Sequence, residues 1–298
     1  RNTTDNSKYQ GIYDLKDNIK FRLVQFRSGL KFPLFGSLLE LSGTRQWYRA
    51  FINQNLPSEG IEAGVAYDYF RGWTLSANWS LDMVKRRLDK TINPSRGFKI
   101  WTKIDLEKNE FIEGLNLSDS GTLTDDFKDN NLGRFQTGGS YYYELPWKNR
   151  WTVSLTTQGG WISNKSADSF FHFYLGGLPG LKGYPFYSIH GPKSAMLDLT
   201  FRAPLFSEKH LKAKWIIFQN STIGAIFQTG DAWSNDDLDL KRSIGIQWRL
   251  NGYSFYNFPT AIELEYHRPL DKFTREINEK TIQYGDEDRA YVKVLFDF

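Results

Sequence analysis

The sequence predicts an all-β fold, built as an antiparallel transmembrane β-barrel of about 12 strands, within a range of roughly 10 to 16. Three observations support this class. Apolar and polar residues alternate with a period of two along many segments, and aromatic residues make up 16 % of the chain. No run of apolar residues reaches the length of about 18 that a transmembrane helix needs. A barrel wall with lipid on one face and a polar lumen on the other gives this combination.

The clearest predicted strand runs from Trp73 to Met83, where odd-numbered residues are apolar and even-numbered residues are polar. The alternation continues over about eleven residues, which is enough for a tilted strand to cross a bilayer. We expect a turn at Arg71-Gly72 to separate it from the preceding strand. Similar patterns predict strands at 20–32, 36–51, 61–69, 98–107, 135–145, 151–161, 195–202, 214–229, 243–250, 261–268 and 289–298. A soluble β-sandwich also alternates, but the long apolar faces favour the barrel.

The links between these strands fall into a short and a long class. The short ones are Pro146–Asn149, 206–211 and 251–258, and the long ones are 109–131, 164–192 and 271–288. Short turns on the periplasmic side and long loops on the extracellular side are typical of outer-membrane barrels. Residues 1–18 are polar and lack periodicity, so we interpret them as an N-terminal arm or the remnant of a linker. Residues 19–298 are then the barrel.

The loop at residues 164–192 is the strongest interruption of the strand pattern. Its central part, Leu175–Pro185, is rich in glycine and proline, and no strand can run through Pro179 and its neighbouring glycines. The same stretch is too apolar for a loop that lies idle on a surface. A long loop of this composition is expected to fold back and pack, which predicts an extracellular loop folded into the lumen.

Several motifs resemble those of the BamA/FhaC/TamA superfamily of outer-membrane β-barrels, whose barrel is often called the bacterial surface antigen domain. The resemblance covers about residues 60–298 and follows the family order. Its motifs are Pro94–Gly97, Tyr174–Gly177 with Leu181–Tyr184, Phe201–Leu205, Ile226–Trp233 and the terminal aromatic residue Phe298. The resemblance also allows for the chain to be the C-terminal barrel of a larger fusion protein.

The resemblance implies a latch between the loop and the barrel wall. In the family an arginine of the loop contacts an aspartate of a neighbouring strand, whereas Lys182 and Gln228 stand at those positions here. The candidate latch residues are Lys182, Gly183, Tyr184, Gln228 and Asp231. A lysine–glutamine hydrogen bond is geometrically looser than a bidentate arginine–carboxylate pair. Lys182 could instead reach an acid such as Asp231, Glu263 or Glu265, or it could be a solvated loop lysine.

Two further pairs of residues are candidates for a role. Glu263 and Glu265 share one strand face and are expected to line the lumen, although paired carboxylates also occur in acid–base catalysis. Phe296 and Phe298 match the C-terminal insertion signal that the resemblance implies, while a strand that merely ends in phenylalanine is the alternative.

The sequence gives no indication of an enzyme. We assign no catalytic, cofactor-binding or metal-binding residue, because the four histidines are scattered and neither a nucleophile elbow nor a phosphate-binding loop occurs. The net charge of +4 is spread along the chain, so no nucleic-acid partner is expected. The absence of cysteine fits an envelope protein without disulfides.

The resemblance implies a function in the bacterial cell outer membrane. We expect a plugged pore for the insertion, translocation or secretion of polypeptides, in contact with outer-membrane lipid, envelope protein partners or a polypeptide substrate. A first alternative is a membrane anchor for a separate periplasmic or surface domain, such as a hydrolase or a propeller. A second alternative is a passive diffusion porin, which an inward-packed apolar loop disfavours.

Overall fold

The computed structural model describes residues 17–56, 61–85, 92–117, 123–147, 150–164, 167–206, 210–234, 238–255, 258–277 and 280–296. These residues are almost entirely in antiparallel strands, which confirms the all-β class. Within these ranges a short 3₁₀ turn at Ser169–Phe171 is the one helical element. No helix among them is long and apolar enough to span a membrane.

The strands follow one another along the whole described chain. In order they are β1 Asp17–Leu34, β2 Ser37–Leu56, β3 Ile61–Asp82, β4 Gly97–Leu117, β5 Leu123–Asp129, β6 Leu132–Glu144, β7 Thr152–Ile162, β8 Phe173–Tyr174, β9 His190–Gly191, β10 Lys193–Phe206, β11 Leu211–Ala213, β12 Ile216–Trp233, β13 Lys241–Ser254, β14 Phe258–Pro269, β15 Phe273–Ile277, β16 Lys280–Tyr284 and β17 Arg289–Phe296. The strands that extend beyond the predicted ones at both ends are β1, β4, β10, β13 and β14.

In the described part of the chain, thirteen strands form one sheet. Its order is β1-β2-β3-β4-β6-β7-β10-β12-β13-β14-β17, with β5 paired to β4 and β11 paired to β12. Each long strand therefore pairs with the next long strand in sequence, as in an up-and-down barrel wall. The order has β1 and β17 at its two ends. Two small hairpins, β8-β9 and β15-β16, form separate two-stranded sheets.

The turn expected at Arg71-Gly72 is wrong, because β3 runs through it without a break. Gly72 serves close packing instead of a reversal of the chain. A Cβ atom at this position would lie 2.6 Å from Asn109 Oδ1 and 2.7 Å from Phe70 Cζ. The glycine at position 72 does mark a constraint on the chain, but that constraint is close packing against Asn109 and not a turn.

The long loop expected at residues 109–131 is also wrong. Strand β4 continues to Leu117, and β5 pairs back onto it from Glu110↔Asp129 to Leu117↔Leu123, with a register shift between Ile112 and Gly114. A hairpin extension that is rich in charged residues lacks the apolar face by which strands are recognised in a sequence. The link at 271–288 likewise contains the hairpin β15-β16.

The described residues form two compact units, and the first draws on parts of 1–32, 39–78 and 104–134. Its strands alternate as predicted. Trp73 and Leu75 are exposed, whereas the Ser76 hydroxyl is buried and donates a hydrogen bond of 2.6 Å to Asp105 Oδ1. The Tyr48 and Phe70 rings stack with their centroids 5.0 Å apart. Of the predicted N-terminal arm, residues 1–16 lie outside the described residues, and Asp17 begins β1.

The second unit contains residues 33–38, 79–103 and 135–298, and its strands have two distinct faces. Ile246 and Val292 are 62 % and 73 % exposed on what we call the outer face. Gln228 and Glu265 are buried on the opposite side, which we call the inner face. The alternation predicted for β12, with Ile223 outward and Gln228 inward, is found in the structure.

Candidate functional site

The loop at 164–192 folds into a compact, hydrogen-bonded unit. Its neck is the β8-β9 pair, in which Phe173 faces Gly191 and Tyr174 faces His190. Beyond the neck the Leu175 amide donates to the Ile189 carbonyl at 2.9 Å, and the Leu181 amide donates back to the Leu175 carbonyl at 2.6 Å. These bonds satisfy backbone groups that a glycine- and proline-rich segment cannot pair in a sheet.

The apolar side chains of the loop pack against the inner face. Leu175, Leu181, Tyr184 and Ile189 form a buried cluster with Ala232 of β12. Burying one leucine-sized side chain contributes about 1.5–3 kcal/mol, so the cluster is a substantial part of what keeps the loop folded inward.

Lys182 lies at the point where the loop meets the inner face. Its backbone N–H donates to Gln228 Oε1 at 2.9 Å, and its carbonyl accepts a hydrogen bond of 2.9 Å from the Tyr291 hydroxyl. Its ammonium nitrogen is 2.9 Å from Glu265 Oε1 and 2.8 Å from Glu265 Oε2. Burial lowers the pKa of the Lys182 ammonium below its usual range, while the Glu265 carboxylate acts in the opposite direction.

Gln228 uses both ends of its amide group. Its oxygen accepts from the Lys182 N–H at 2.9 Å and from the Ser243 hydroxyl at 3.2 Å. Its nitrogen donates to the Gly180 carbonyl at 3.2 Å and to Asp198 Oδ2 at 2.7 Å. An ionised aspartate could accept but not donate, so the amide suits a position that must bind both an N–H and a C=O of the loop.

Glu265 is the centre of a buried charge network on β14 and β17. Besides Lys182 it contacts Lys293 Nζ at 2.8 Å and accepts a hydrogen bond of 2.9 Å from the Gln247 side chain. Lys293 Nζ is also 2.8 Å from Glu263 Oε1. Each carboxylate is thus neutralised by an ammonium group, which is the condition under which buried charges are tolerated.

Gly183 and Tyr184 fix the rest of the loop tip. A Cβ atom on Gly183 would lie 2.7 Å from Ser243 Cβ and 3.1 Å from the Pro269 nitrogen, so a side chain there would push the loop off the sheet. The Tyr184 hydroxyl lies 2.9 Å from the Arg242 carbonyl and 3.0 Å from the Asp271 carbonyl. Burial raises the pKa of Tyr184 to about 12, so this hydroxyl keeps its proton.

The remaining predicted site residues lie elsewhere. Asp231 is 2.9 Å from Lys241 Nζ and accepts from the Asp239 amide at 2.9 Å, away from the Lys182 contacts. Phe296 is 44 % exposed on the outer face, and Phe298 lies outside the described residues. Tyr291 and Lys293 were not among the predicted site residues, although the alternation of β17 places both on its inner face.

A polar cavity of about 370 Å³ lies next to the loop tip on the inner face. Its lining includes Lys182, Glu263, Glu265 and Lys293 of the charge network, together with Pro179 and Gly180 of the loop. Among the residues that the structure describes, no group of three or more histidines or acids is placed to hold a metal ion. The charge network can hold the loop in place, and the polar cavity beside it has room for water.

The model of the Omp85 superfamily domain matches residues 13–224 of the chain, which is well over half of it. The matched region includes the loop and Lys182, and it begins earlier than the motif resemblance does. It ends before Gln228, Glu265 and Tyr291, the three residues of the sheet that hold Lys182. No curated protein sequence matches the chain.

Proposed function

Because the chain belongs to the Omp85 superfamily of outer-membrane β-barrel proteins, which insert or translocate proteins, we propose that it forms a plugged polypeptide pore. This superfamily is the one that the sequence motifs indicated. The proposed pore lies in the bacterial outer membrane, is surrounded by lipid and acts on polypeptide substrates. The loop at 164–192 is its plug.

The attachment of Lys182 to the inner face carries this proposal. The residue is held through its amide, its carbonyl and its ammonium group by Gln228, Tyr291 and Glu265. These partners come from β12, β17 and β14, so three strands hold one loop residue. These polar contacts add to the apolar cluster under the loop, and because polar groups can exchange a protein partner for water, such a plug can be released and re-formed as the wall moves.

The outer face supports the proposed lipid contact. Val292, Val294 and Phe296 are exposed in a row on β17, and Ile244 and Ile246 are exposed on β13. A contiguous exposed apolar surface of this kind is unfavourable in water and matches a hydrocarbon environment.

We further propose that the protein is not an enzyme, in line with the non-enzymatic transport and insertion functions of the superfamily. Glu263 and Glu265, the carboxylates that could have formed a catalytic pair, are both engaged by Lys293, and Glu265 also binds Lys182. Both carboxylates are therefore occupied by ion pairs within the sheet.

Single-channel recording in planar lipid bilayers tests the plugged pore. We expect small, flickering currents for the wild-type chain and a larger mean conductance for Lys182→Met, which removes the ammonium group but keeps a long side chain. Lys212→Met, at an exposed position of β11, is the matched control and should behave as wild type. An unfolded polypeptide added to the Lys182→Met pore should block its current in a voltage-dependent manner.

Two results would contradict the proposal. A large steady wild-type conductance that Lys182→Met leaves unchanged would indicate a passive porin. An open Lys182→Met pore that polypeptides never block would argue against polypeptide passage.

A further inference from the structure

The link between β3 and β4, residues 83–96, is unusually long for its end of the second unit. The other links at this end are 35–36, 145–151, 207–215 and 255–257. Antiparallel strands reverse direction at each link, so the loop at 164–192, which follows β7, lies at the other end. The length of the link 83–96 therefore has a cause other than the plug loop, which lies at the other end of the strands.

Of the described residues of this link, 83–85 and 92–96, the stretch 92–95 lies inside the unit. Ile92 and Ser95 are only 8 % and 6 % exposed. Ile92 and Pro94 line the cavity of about 370 Å³ beside the plug loop, whereas Asn93 and Ser95 line a second polar cavity of about 280 Å³. Alternate residues of the segment thus line two different cavities.

A buried arginine attaches this segment to the sheet. Arg249 of β13, whose side chain is 3 % exposed, donates a hydrogen bond to the Ile92 carbonyl. Its other terminal nitrogen is 3.4 Å from Glu263 Oε2. A guanidinium group that is removed from water to this extent is retained only where acceptors surround it, so the carbonyl of Ile92 is part of a built site.

The same charge network holds both the segment and the plug loop. Lys293 bridges Glu263 and Glu265 with contacts of 2.8 Å to each. Glu263 continues to Arg249, which binds residue 92, and Glu265 continues to Lys182, which belongs to the plug loop. A change of charge at Lys182 therefore alters the electrostatic interactions of Arg249 through a few direct contacts, and the reverse is also true.

We propose that residues 92–95 form a septum, a second constriction in series with the plug loop, at the opposite end of the same interior. The septum restricts the passage of hydrated ions and polypeptide after the plug loop has been released. It rests on the proposed function of the chain as a pore, and Arg249 is its positioning residue.

Two constrictions in series predict a distinctive pattern of conductance. Arg249→Gln alone should change the current little, because the plug loop still blocks the path. In the Lys182→Met background, Arg249→Gln should raise the conductance severalfold above that of Lys182→Met alone. Arg268→Gln, which removes an arginine that is 69 % exposed, is the matched control. An equal conductance of the double and the Lys182→Met variants, with both folded by tryptophan fluorescence, would overturn the septum.

Thiol labelling tests the septum without removing a buried charge. The chain has no cysteine, so single cysteines report one position each. In the Lys182→Met background a membrane-impermeant thiol reagent should modify Ser95→Cys from the side of the short turns and Pro94→Cys from the side of the plug loop. Modification of both positions equally from both sides would refute the septum.

The labelling outcome is independent of polypeptide transport. If the labelling is sided but polypeptides never block the Lys182→Met pore, the septum stands and the polypeptide function fails. If polypeptides block the pore but both cysteines are labelled equally from both sides, the polypeptide function stands and the septum fails.

Discussion

Replacement of Lys182 by methionine should weaken the attachment of the plug loop by a moderate and calculable amount. The ammonium group of Lys182 lies 2.8 Å from Glu265 Oε2, and the two side chains are 14 % and 1 % exposed. Breaking a buried ion pair costs about 3–5 kcal/mol where it leaves a charge uncompensated. Here Glu265 keeps Lys293 at 2.8 Å and the Gln247 amide at 2.9 Å, so its charge stays balanced.

The expected loss is therefore that of one charge-assisted hydrogen bond, about 2 kcal/mol. Glu265→Gln should cost more, about 3–5 kcal/mol, because Lys182 would lose its ion pair while Lys293 kept only that with Glu263. The order of the two effects is the sharper prediction, since it follows from the number of cations that share Glu265.

Urea unfolding in lipid vesicles, followed by the fluorescence of the ten tryptophans, measures both free energies. Hydrogen exchange at the Leu175 and Leu181 amides reports the loop itself. Lys272→Met is the control, because its ion pair with Asp286 is on the surface and should be worth less than about 1 kcal/mol. A Lys182→Met variant as stable as wild type, or less stable than Glu265→Gln, would refute the reasoning.

Three further predictions concern the loop tip, the outer face and the neck of the loop. Gly183→Ala should speed hydrogen exchange throughout the loop because its Cβ would collide with the sheet, whereas Gly114→Ala, which meets open space, should not. Val292→Arg should lower the free energy of unfolding in vesicles, by up to the roughly 2–4 kcal/mol that a lipid-facing arginine costs at the bilayer midplane, and Val292→Leu should not. Burial is the largest cause that lowers the pKa of His190 from its ordinary 6.5 to about 4, and Arg275 and His172 lower it further. Below pH 6.5 the unfolded chain therefore binds a proton at His190 that the folded chain does not. The contribution of His190 to the free energy of unfolding is complete above pH 6.5 and is lost as pH falls toward 4.

Each of these predictions has its own contrary result. Equal exchange rates for the two glycine variants would mean that the loop tip is not closely packed. A Val292→Arg variant that folds in vesicles as well as wild type would place β17 away from the hydrocarbon. The exchange of the β8-β9 amides measures the pH effect, which His190→Gln should abolish. An unchanged pH dependence in that variant would assign it to another group.

The two faces of the sheet were predictable because the period of a strand depends only on local geometry. Ile223, Gln228 and Val292 lie on the faces that the alternation assigned to them. The same local rule failed at Arg71-Gly72, where a glycine was needed for a neighbour on another strand and not for a turn. It failed again at 109–131, where a charged hairpin has no apolar face to reveal it.

The partner of Lys182 depended on strand register, which the sequence does not contain. From the sequence alone, Lys182 could have paired with any of the acids Asp231, Glu263 and Glu265. The pairing of β13 with β14 sets Glu265 opposite Gln247, and this register brings its carboxylate under the loop tip. The same limit applies to residues 92–95, because Ile92 accepts its hydrogen bond from Arg249, a residue more than a hundred positions away in the sequence.

The resemblance implies that Lys182 and Gln228 replace an arginine and an aspartate of the superfamily pattern, and we interpret the two replacements as one change. Gln228 no longer needs a cationic partner, because its amide binds the backbone of the loop at Lys182 and Gly180. The lysine ammonium is then free to reach Glu265 on another strand. An aspartate at position 228 would lose the donor to Gly180 and would bring a second carboxylate toward Asp198, which now accepts from the amide at 2.7 Å. Restoring either residue of the superfamily pair alone would therefore disturb the contacts that hold the loop, and the two positions are expected to tolerate change only together.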